Sequence, residues 1–292
     1  MKILSLIEND LIIEEKKNYV AIIGSNASKT ARSPKLWNYV YEKMNSNIKM
    51  YPFDVKDKNL KKIFKYLEKD KYFLGCSIAV PFKEKAFEIL KKNIDKNSIG
   101  IGSINCIYRD RNFSLKGLNT DGIASLEVFE NKFGRIKSKK VGVIGYGGVG
   151  KSVSANFVQN NNVFIFSRKK KDKLNCKKLN MKWNNFSDLS KKILDMDIII
   201  NCTSLGFNTM KNKSPINLNI LKKLNKKTII FDVIYNPEKT KLLINSEILK
   251  LKTLNGSLMN IYQALIAFKY VNNIKNKKSI IKVKNLMKSA VK

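Results

Sequence analysis

The stretch Val143–Ser152, VIGYGGVGKS, has the glycine spacing of a phosphate-binding loop and fits two different motifs. Read as G-x-G-x-x-G, with Gly145, Gly147 and Gly150, it predicts a turn where the pyrophosphate of a dinucleotide approaches the backbone. Read as G-x-x-x-x-G-K-S, ending in Gly-Lys-Ser at 150–152, it predicts a loop around the phosphates of ATP or GTP. Both motifs follow a strand and open a helix, so the loop alone does not decide between them.

The residues after the loop favour the dinucleotide. The following helix is short, the strand NNVFIFSRKK comes at once, and the paired Gly147-Gly148 suits close packing of helix against strand. About 20 residues beyond the loop, where a carboxylate would accept the ribose hydroxyl of NAD, the chain has Arg168 and a run of lysines and no acid. A guanidinium pairs well with a 2′-phosphate. The predicted cofactor is therefore NADP(H), with these binding residues: Gly145, Tyr146, Gly147, Gly148, Val149, Ser167, Arg168 and Lys169.

An NTPase remains an alternative, because TIIFD can be read as the acidic strand that holds magnesium. The chain contains no histidine. Proton transfer must therefore use Lys, Asp, Glu, Tyr, Cys or water, and a catalytic triad or zinc site that needs histidine is excluded. The four cysteines form no C-x-x-C pair, which indicates reduced thiols, and we expect no metal site.

Seven short motifs stand in a fixed order along the chain: VPFKE, IGSINCI, GLNTDG, GYGGVG with FSR, NCTSLGF, DVIYNPEKTKLL and NGSLMNIYQA. Together they resemble the motifs of the shikimate dehydrogenases, over nearly the whole length from about Val20 to Phe268. The resemblance implies an NADP-dependent oxidoreductase that reduces 3-dehydroshikimate to shikimate in aromatic amino acid biosynthesis. Its small-molecule substrate would be a cyclic hydroxy acid.

The same resemblance implies roles for single residues. Lys83, in VPFKE, falls on the catalytic lysine, and Asp121, in GLNTDG, falls on its acid/base partner. Substrate contacts are implied for these residues: Ser33, Lys83, Asn105, Asp121, Tyr235 and Gln263. Val233 and Gly256 fall beside the nicotinamide. An ammonium group can stabilise and protonate a carbonyl oxygen as hydride arrives, and a carboxylate can hydrogen-bond the same oxygen. Taken singly, Lys83 is a solvated helix lysine and Asp121 a helix N-cap.

The chain departs from the family where the substrate should bind. Ala31 falls where the family has the first of two serines, Ser77 replaces its usual asparagine, and Ala79 replaces its usual threonine. The text GSNASKTARSP is one residue longer than the family's loop; Ser33 matches its second serine, and Thr30 or Ser28 are candidates to replace the first. A buried substrate group left without its partner costs about 1–3 kcal/mol. Quinate or a modified shikimate is therefore an alternative substrate.

The elements that carry these residues alternate between strands and helices. YVAIIG, KMYPFDV and FLGCSIAV predict strands, SINCIYRDRNFSLKGLN predicts a two-stranded ribbon, and KNLKKIFKYLEKD predicts an amphipathic helix. The apolar residues of that helix fall on one face: Leu60, Ile63, Phe64 and Leu67. After the glycine loop, continuous apolar runs separated by helices predict a parallel, doubly wound sheet.

The predicted fold class is α/β with two domains. We expect an N-terminal α/β substrate-binding domain and a Rossmann-type doubly wound NADP-binding domain, with the C-terminal helices returning to the substrate domain. The expected bounds are 1–120 plus 256–292 for the discontinuous substrate domain and 121–255 for the NADP-binding domain. The substrate domain must be discontinuous because Gln263 has to reach the substrate.

Composition limits the partners. The 292 residues carry a formal charge of +34, but the lysines are spread along the chain and form no recognisable nucleic-acid module, so we expect no specific nucleic acid. No apolar run reaches the roughly 18 residues that cross a bilayer, and Glu8 and Asp10 interrupt the apolar start. We therefore expect a cytoplasmic protein without a membrane partner, as a monomer or homodimer. A basic binding protein that kept the fold without activity is a further alternative.

Overall fold

Strands and helices alternate along nearly the whole chain, of which the computed structural model describes residues 3–96 and 98–291. The strands are β1 Tyr19–Gly24, β2 Lys49–Asp54, β3 Phe73–Ile78, β4 Cys106–Arg109, β5 Leu115–Leu118, β6 Lys140–Ile144, β7 Asn162–Ser167, β8 Lys182–Asn185, β9 Ile198–Asn201, β10 Ile229–Asp232 and β11 Lys252–Leu254. The helices are α1 Ala27–Thr30, α2 Ser33–Lys43, α3 Leu60–Lys69, α4 Lys83–Ile89, α5 Asp121–Phe133, α6 Gly148–Phe157, α7 Asp172–Lys178, α8 Leu189–Lys192, α9 Leu218–Leu221, α10 Lys241–Ile248, α11 Ser257–Val271 and α12 Lys277–Ser289.

The chain divides into two compact units. The first comprises Met1–Thr120 and Ile261–Lys292, and the second comprises Asp121–Asn260. The second break lies inside α11, and the expected bounds of 121–255 and 256–292 stay a prediction. The Gly256 N–H, just before α11, donates a hydrogen bond to the Ile234 carbonyl of the second unit at 2.9 Å.

The first unit contains a five-stranded sheet in the order β2-β1-β3-β4-β5. β1 runs parallel to β2 and β3, whereas β4 pairs antiparallel with β3 and β5, so the predicted two-stranded ribbon is confirmed. The Ala79 N–H donates to the Ile23 carbonyl at 2.8 Å. The carboxyl ends of β1 and β3 therefore lie side by side and bring the loop before Ser33 and the loop before Lys83 to one edge of the sheet.

Helices cover both faces of this sheet. The predicted apolar face of α3 is buried against one face, together with Phe53 and Phe73. Trp37 of α2 packs edge to face on Phe268 of α11 against the other, with ring centroids 4.9 Å apart. Val283 of α12 is buried in the same cluster. The C-terminal helices therefore belong to the core of the first unit, as the fold prediction required.

The segment before β1 covers an edge of this sheet. Ile3, Ile7 and Ile13 are buried in the cluster that contains the apolar face of α3. The Glu8 N–H donates to the Asp54 carbonyl at 2.8 Å, and the Asn9 side-chain oxygen accepts the Asp54 N–H at 2.8 Å. The segment thus satisfies backbone groups of β2, the edge strand, which would otherwise stay open to another chain.

The second unit contains a six-stranded sheet in the order β11-β10-β9-β6-β7-β8. All its pairings are parallel, so the predicted doubly wound parallel sheet is confirmed. β6 and β9 are neighbours in this sheet, and the chain adds its later strands on opposite sides of this pair. In such sheets ligands bind outside the carboxyl ends of the strands at this switch point. The glycine loop leaves β6 at this position.

Candidate active site

A buried hydrogen-bond network in the first unit joins Asn105, Thr120 and Gln263. The Asn105 side-chain oxygen accepts the Thr120 N–H at 2.8 Å, and Asn105 Nδ2 donates to Thr120 Oγ1 at 2.9 Å and to Gln263 Oε1 at 3.3 Å. The Thr120 hydroxyl donates to the Gln263 carbonyl at 3.1 Å. The structure thus brings together two of the predicted substrate residues. Sequence reasoning missed Thr120, whose only signal was its place inside the GLNTDG motif.

Lys83 is connected to this network through one backbone hydrogen bond, and Asp121 through its peptide bond to Thr120. Lys83 is the first residue of α4, and its carbonyl accepts the N–H of Ile104, the residue before Asn105, at 3.0 Å. Asp121 follows Thr120 directly in the chain, is 4% exposed and opens α5. A carboxylate is favoured at this end of a helix by the unpaired N–H groups of the first turn.

The loop after β1 holds Ser33 and the two candidate replacements for the family's first serine. Ser33 is buried at the first position of α2. The Ser28 hydroxyl donates to the carboxylate of Asp54, and the Thr30 hydroxyl donates at 2.7 Å to a backbone carbonyl four residues earlier. Each hydroxyl therefore donates its only proton within the protein. In this arrangement neither residue supplies the donor that Ala31 lacks.

Asp54, the last residue of β2, is a second residue that sequence reasoning missed. It is 8% exposed, and its carboxylate also accepts the Ser28 N–H at 2.8 Å. Its own backbone is held by Asn9 and Glu8 of the N-terminal segment. Asp54 therefore anchors the loop after β1. The available signal was an acid at the carboxyl end of a strand in the substrate-binding half of the sequence.

The glycine loop joins β6 to α6 with the geometry of a dinucleotide-binding turn. Gly145 has a φ of +92°, in the left-handed region that favours glycine. A Cβ at Gly150 would lie 2.2 Å from the Gly145 carbonyl oxygen, whereas a Cβ at Gly147, the N-cap of α6, would meet no atom of the described chain within 4 Å. Open space thus lies at the amino end of α6, where helix N–H groups bind phosphate. These residues fit a pyrophosphate.

The same loop does not have the side-chain arrangement of an NTPase. Ser152 is fully buried, and its hydroxyl accepts the Gly122 N–H at 2.8 Å. The Lys151 ammonium lies 6.0 Å from the centroid of the Tyr146 ring. A P-loop needs the serine hydroxyl on magnesium and the lysine on the terminal phosphates. Since the serine hydroxyl already accepts the Gly122 N–H in the contact between two helices, the NTPase interpretation is not favoured.

Asp232, the acid of TIIFD, also has a structural role. It is fully buried and accepts hydrogen bonds from the Thr240 hydroxyl at 2.7 Å and from the Asn201 amide at 3.1 Å. Burial raises the pKa of this carboxyl to about 6, although these hydrogen bonds oppose the shift. Asp232 joins the loops that follow β9 and β10. An acid enclosed in this way offers no open position for a magnesium ion.

The end of β7 carries the residues predicted to read the ribose. The Ser167 hydroxyl donates to Asp172 Oδ2 at 2.8 Å and accepts from Trp183 Nε1 at 2.9 Å. Ser167 is buried, whereas Arg168 and Lys169 are exposed. A hydroxyl whose only proton goes to Asp172 does not also donate to a phosphate. At this strand end the exposed cations are Arg168 and the three lysines that follow it, and recognition of a 2′-phosphate by Arg168 and Lys169 remains a prediction.

The two residues expected beside the nicotinamide are in contact with each other. A Cβ at Gly256 would lie 1.9 Å from the Val233 carbonyl oxygen, so only glycine allows this approach. The Val233 N–H donates to the Asn201 carbonyl at 3.2 Å, at the carboxyl end of β9. Tyr235 follows in the same loop and is half-buried.

Over residues 3–96 and 98–291 no three Cys, Asp or Glu side chains form a group that could hold a metal ion. No helix in the same two ranges is both long enough and apolar enough to cross a membrane. Cys76, Cys106 and Cys176 are buried, and all four cysteines are free thiols.

Two family models match the chain, one in each half. The model described as the shikimate dehydrogenase substrate-binding domain matches residues 22–107. The model described as shikimate / quinate 5-dehydrogenase matches residues 127–254. The second match contains the glycine loop and the end of β7.

Curated relatives match almost the full length. The shikimate dehydrogenase (NADP(+)) of Methanococcus vannielii is 30% identical over 290 residues, covering 95% of this chain and 100% of the relative. The enzyme of the same name from Methanocaldococcus jannaschii is 32% identical over 266 residues, covering 88% and 92%.

Solved structures have the same fold. A shikimate dehydrogenase in complex with NADP+ superposes with a TM-score of 0.80 at 28% identity, covering 96% of this chain and 98% of that one. The shikimate dehydrogenase of Aquifex aeolicus has a TM-score of 0.81 at 24% identity, covering 96% and 100%. The predicted arrangement of an α/β substrate domain with a Rossmann-type domain is therefore confirmed.

Proposed function

Because the chain belongs to the shikimate dehydrogenase family, we propose that it catalyses the reversible NADPH-dependent reduction of 3-dehydroshikimate to shikimate. The observation that carries the proposal is the Asn105–Thr120–Gln263 network, with Lys83 one hydrogen bond away along the backbone and Asp121 next in the chain. Asn105 and Gln263 are 158 positions apart in the chain, and the fold brings them into contact. Together with Lys83 and Asp121, they are four of the six positions that the motifs assign to the substrate.

We assign the binding of NADP(H) to residues of the second unit. The backbone from Gly145 to Val149 would hold the pyrophosphate, and Arg168 with Lys169 would hold the 2′-phosphate. Val233 and Gly256 would line the nicotinamide, and the glycine allows the close backbone approach that holds these two residues together. When bound, NADPH supplies the hydride that the reaction requires.

The protein must then supply a proton and stabilise charge. We assign Lys83 as the acid: its ammonium neutralises the negative charge that grows on the carbonyl oxygen and donates the proton that turns it into a hydroxyl. Asp121 accepts a hydrogen bond from the hydroxyl that forms and orients the Lys83 side chain. In the reverse direction the neutral lysine takes the hydroxyl proton. This pair needs no histidine, as the composition demands.

The amides of the buried network suit the ring hydroxyls of the substrate. A hydroxyl placed between Asn105 and Gln263 can accept a hydrogen bond from Asn105 Nδ2 and donate one to Gln263 Oε1. The 3.3 Å bond that now joins Asn105 Nδ2 to Gln263 Oε1 is longer than the 2.9 and 2.8 Å bonds between Asn105 and Thr120, so its exchange for a substrate hydroxyl costs less than the loss of either of those. We place Ser33 at the substrate carboxylate and Tyr235 among the further substrate contacts.

We further propose that the enzyme works in the cytoplasm, as a monomer or homodimer, without a nucleic-acid or membrane partner. Free, mostly buried thiols support a reducing compartment. The evenly spread lysines, which account for much of the +34 charge, act as a general attraction for anionic substrate and cofactor that weakens with salt.

The test is direct. Absorbance of NADPH should fall when 3-dehydroshikimate is added to the purified protein, and the rate should scale with enzyme concentration. With NADPH and no ring ketone, no change is expected. A protein that binds NADPH but oxidises it with neither 3-dehydroshikimate nor 3-dehydroquinate would contradict the proposed activity and favour a binding protein that kept the fold.

Ala79→Thr tests whether the substrate is shikimate itself. Ala79 is half-buried after β3, and a threonine there restores the family's hydroxyl to a pocket where one added hydrogen bond is worth about 0.5–1.5 kcal/mol. We expect kcat/KM for shikimate to rise about threefold to tenfold. Ala79→Val, which has the same shape without the hydroxyl, is the control and should give no gain. If threonine also gives none and quinate is turned over faster, the related substrate is the right one.

A further inference from the structure

Ser152 caps a helix to which it does not belong. Its Oγ accepts the backbone N–H of Gly122 at 2.8 Å, and both residues are buried. Because α5 begins at Asp121, this N–H is among the first four of the helix, which have no acceptor within the helix itself. The usual cap is a side chain just before the helix. Here the acceptor comes from α6, 30 positions later in the chain.

The contact between α5 and α6 is too close for another side chain. A Cβ on Gly122 would lie 2.1 Å from the Ser152 carbonyl oxygen and 2.1 Å from Asn156 Nδ2. Asn156 Nδ2 in turn donates to that carbonyl at 2.9 Å. The N–H of Gly122 therefore faces the Ser152 hydroxyl across a closed backbone contact, where loss of the hydroxyl leaves a buried donor unpaired.

We propose that Ser152 is a positioning residue for Asp121, an inference that rests on the proposed function. Asp121 is the first residue of α5 and directly precedes Gly122, so unwinding of the first turn to satisfy the lost bond moves its carboxylate. α6 starts in the glycine loop at Gly148. One helix thus presents its amino end to the pyrophosphate and, one turn later, fixes Asp121, the residue assigned to orient Lys83.

The serine that made this loop resemble a P-loop therefore has a role in the dehydrogenase chemistry. It sets the distance between the bound cofactor phosphates and Asp121 within the second unit. Such a residue affects the chemical step more than the binding of either ligand, because neither the substrate network nor the glycine backbone changes.

Ser152→Ala tests the inference with Ser154→Ala as the matched control. Ser154 lies in the same helix, is equally buried and donates to the Gly150 carbonyl at 2.7 Å within its own helix. For Ser152→Ala we expect kcat to fall about tenfold, with KM for 3-dehydroshikimate and the Kd of NADPH, measured by fluorescence, unchanged. Ser154→Ala should keep the wild-type kcat.

A double mutant separates positioning from general stability. In an Asp121→Asn background, Ser152→Ala should cause no further loss of kcat, because its effect passes through the carboxylate already removed. The same tenfold loss in both backgrounds would mean a merely structural role. Ser152→Cys keeps a weak acceptor of similar size and should fall between serine and alanine; it carries the test if the alanine variant does not fold.

The outcomes for the two proposals differ. Wild-type kcat in both Ser152→Ala and Ser152→Cys, while Asp121→Asn is inactive, overturns the positioning role and leaves the proposed function intact. Wild-type kcat in Asp121→Asn overturns the role of Asp121 as the partner of Lys83 and, with it, the positioning role of Ser152.

Discussion

Replacement of Lys83 by alanine is expected to lower kcat for 3-dehydroshikimate about a hundredfold or more, the range found when a catalytic proton donor or charge stabiliser is removed. The ammonium interacts most strongly as negative charge develops on the carbonyl oxygen, so its loss affects the transition state more than the bound substrate. KM should therefore change much less than kcat. Steady-state kinetics with NADPH in excess measures both.

The control for this variant is a neighbouring lysine. Lys85 lies in the same helix, α4, and pairs with Asp57 at the surface. Lys85→Ala should keep the wild-type kcat, because exposed ion pairs contribute little. The Kd of NADPH should also be unchanged in Lys83→Ala, since the glycine loop and Arg168 belong to the other unit. Near-normal kcat in Lys83→Ala would falsify its assignment as the acid.

Lys83 and Asp121 should also act as a unit. Asp121→Asn keeps the shape of the side chain and removes the charge that orients the lysine, so kcat should again fall steeply. The double variant should be little worse than the poorer single variant, because residues that serve one step are not additive. Fully multiplied losses would indicate two independent roles.

Arg168→Asp is expected to weaken NADP binding about a hundredfold while the affinity for NAD changes little. The substitution removes a charge-assisted hydrogen bond worth about 1.5–3 kcal/mol and places a like charge beside the 2′-phosphate. NAD has a hydroxyl at that position, and an aspartate can accept a hydrogen bond from it. Titration of intrinsic fluorescence with each oxidised cofactor measures the two affinities.

Two controls accompany this change of cofactor. Lys227→Asp makes the same charge reversal at an exposed residue just before β10, at the amino end of the parallel sheet, away from the edge where dinucleotides bind. It should lower both affinities only slightly. Lys151→Ala should leave NADP binding intact, whereas a lysine that held phosphates would be essential. Equal weakening of NAD and NADP in Arg168→Asp would show that the end of β7 does not read the ribose.

Local patterns in the sequence determined the elements and the kind of cofactor site. Spacing of apolar residues at a helical period is enough to predict α3 and its buried face, and continuous apolar runs between helices are enough to predict the parallel sheet of the second unit. The glycine spacing indicated a phosphate loop because Gly145 needs its positive φ and Gly150 its close approach. These are requirements of neighbouring residues on each other.

Only the tertiary structure decided which polar groups remain available. The sequence allowed Ser152 to be a magnesium ligand, Ser167 a phosphate donor and Ser28 a substitute for a missing serine. In the folded chain each hydroxyl is paired with a group that is distant in sequence or in another element. Hydroxyl partners depend on how segments pack and not on spacing along the chain, since a hydrogen bond needs placement within a few tenths of an ångström.

The same reason accounts for the residues that were missed. Thr120 and Asp54 carry no motif chemistry of their own, and they matter because folding places them against Gln263 and Ser28. Sequence periodicity reports which face of an element is buried, whereas the partner of a buried polar atom is set only when distant segments meet.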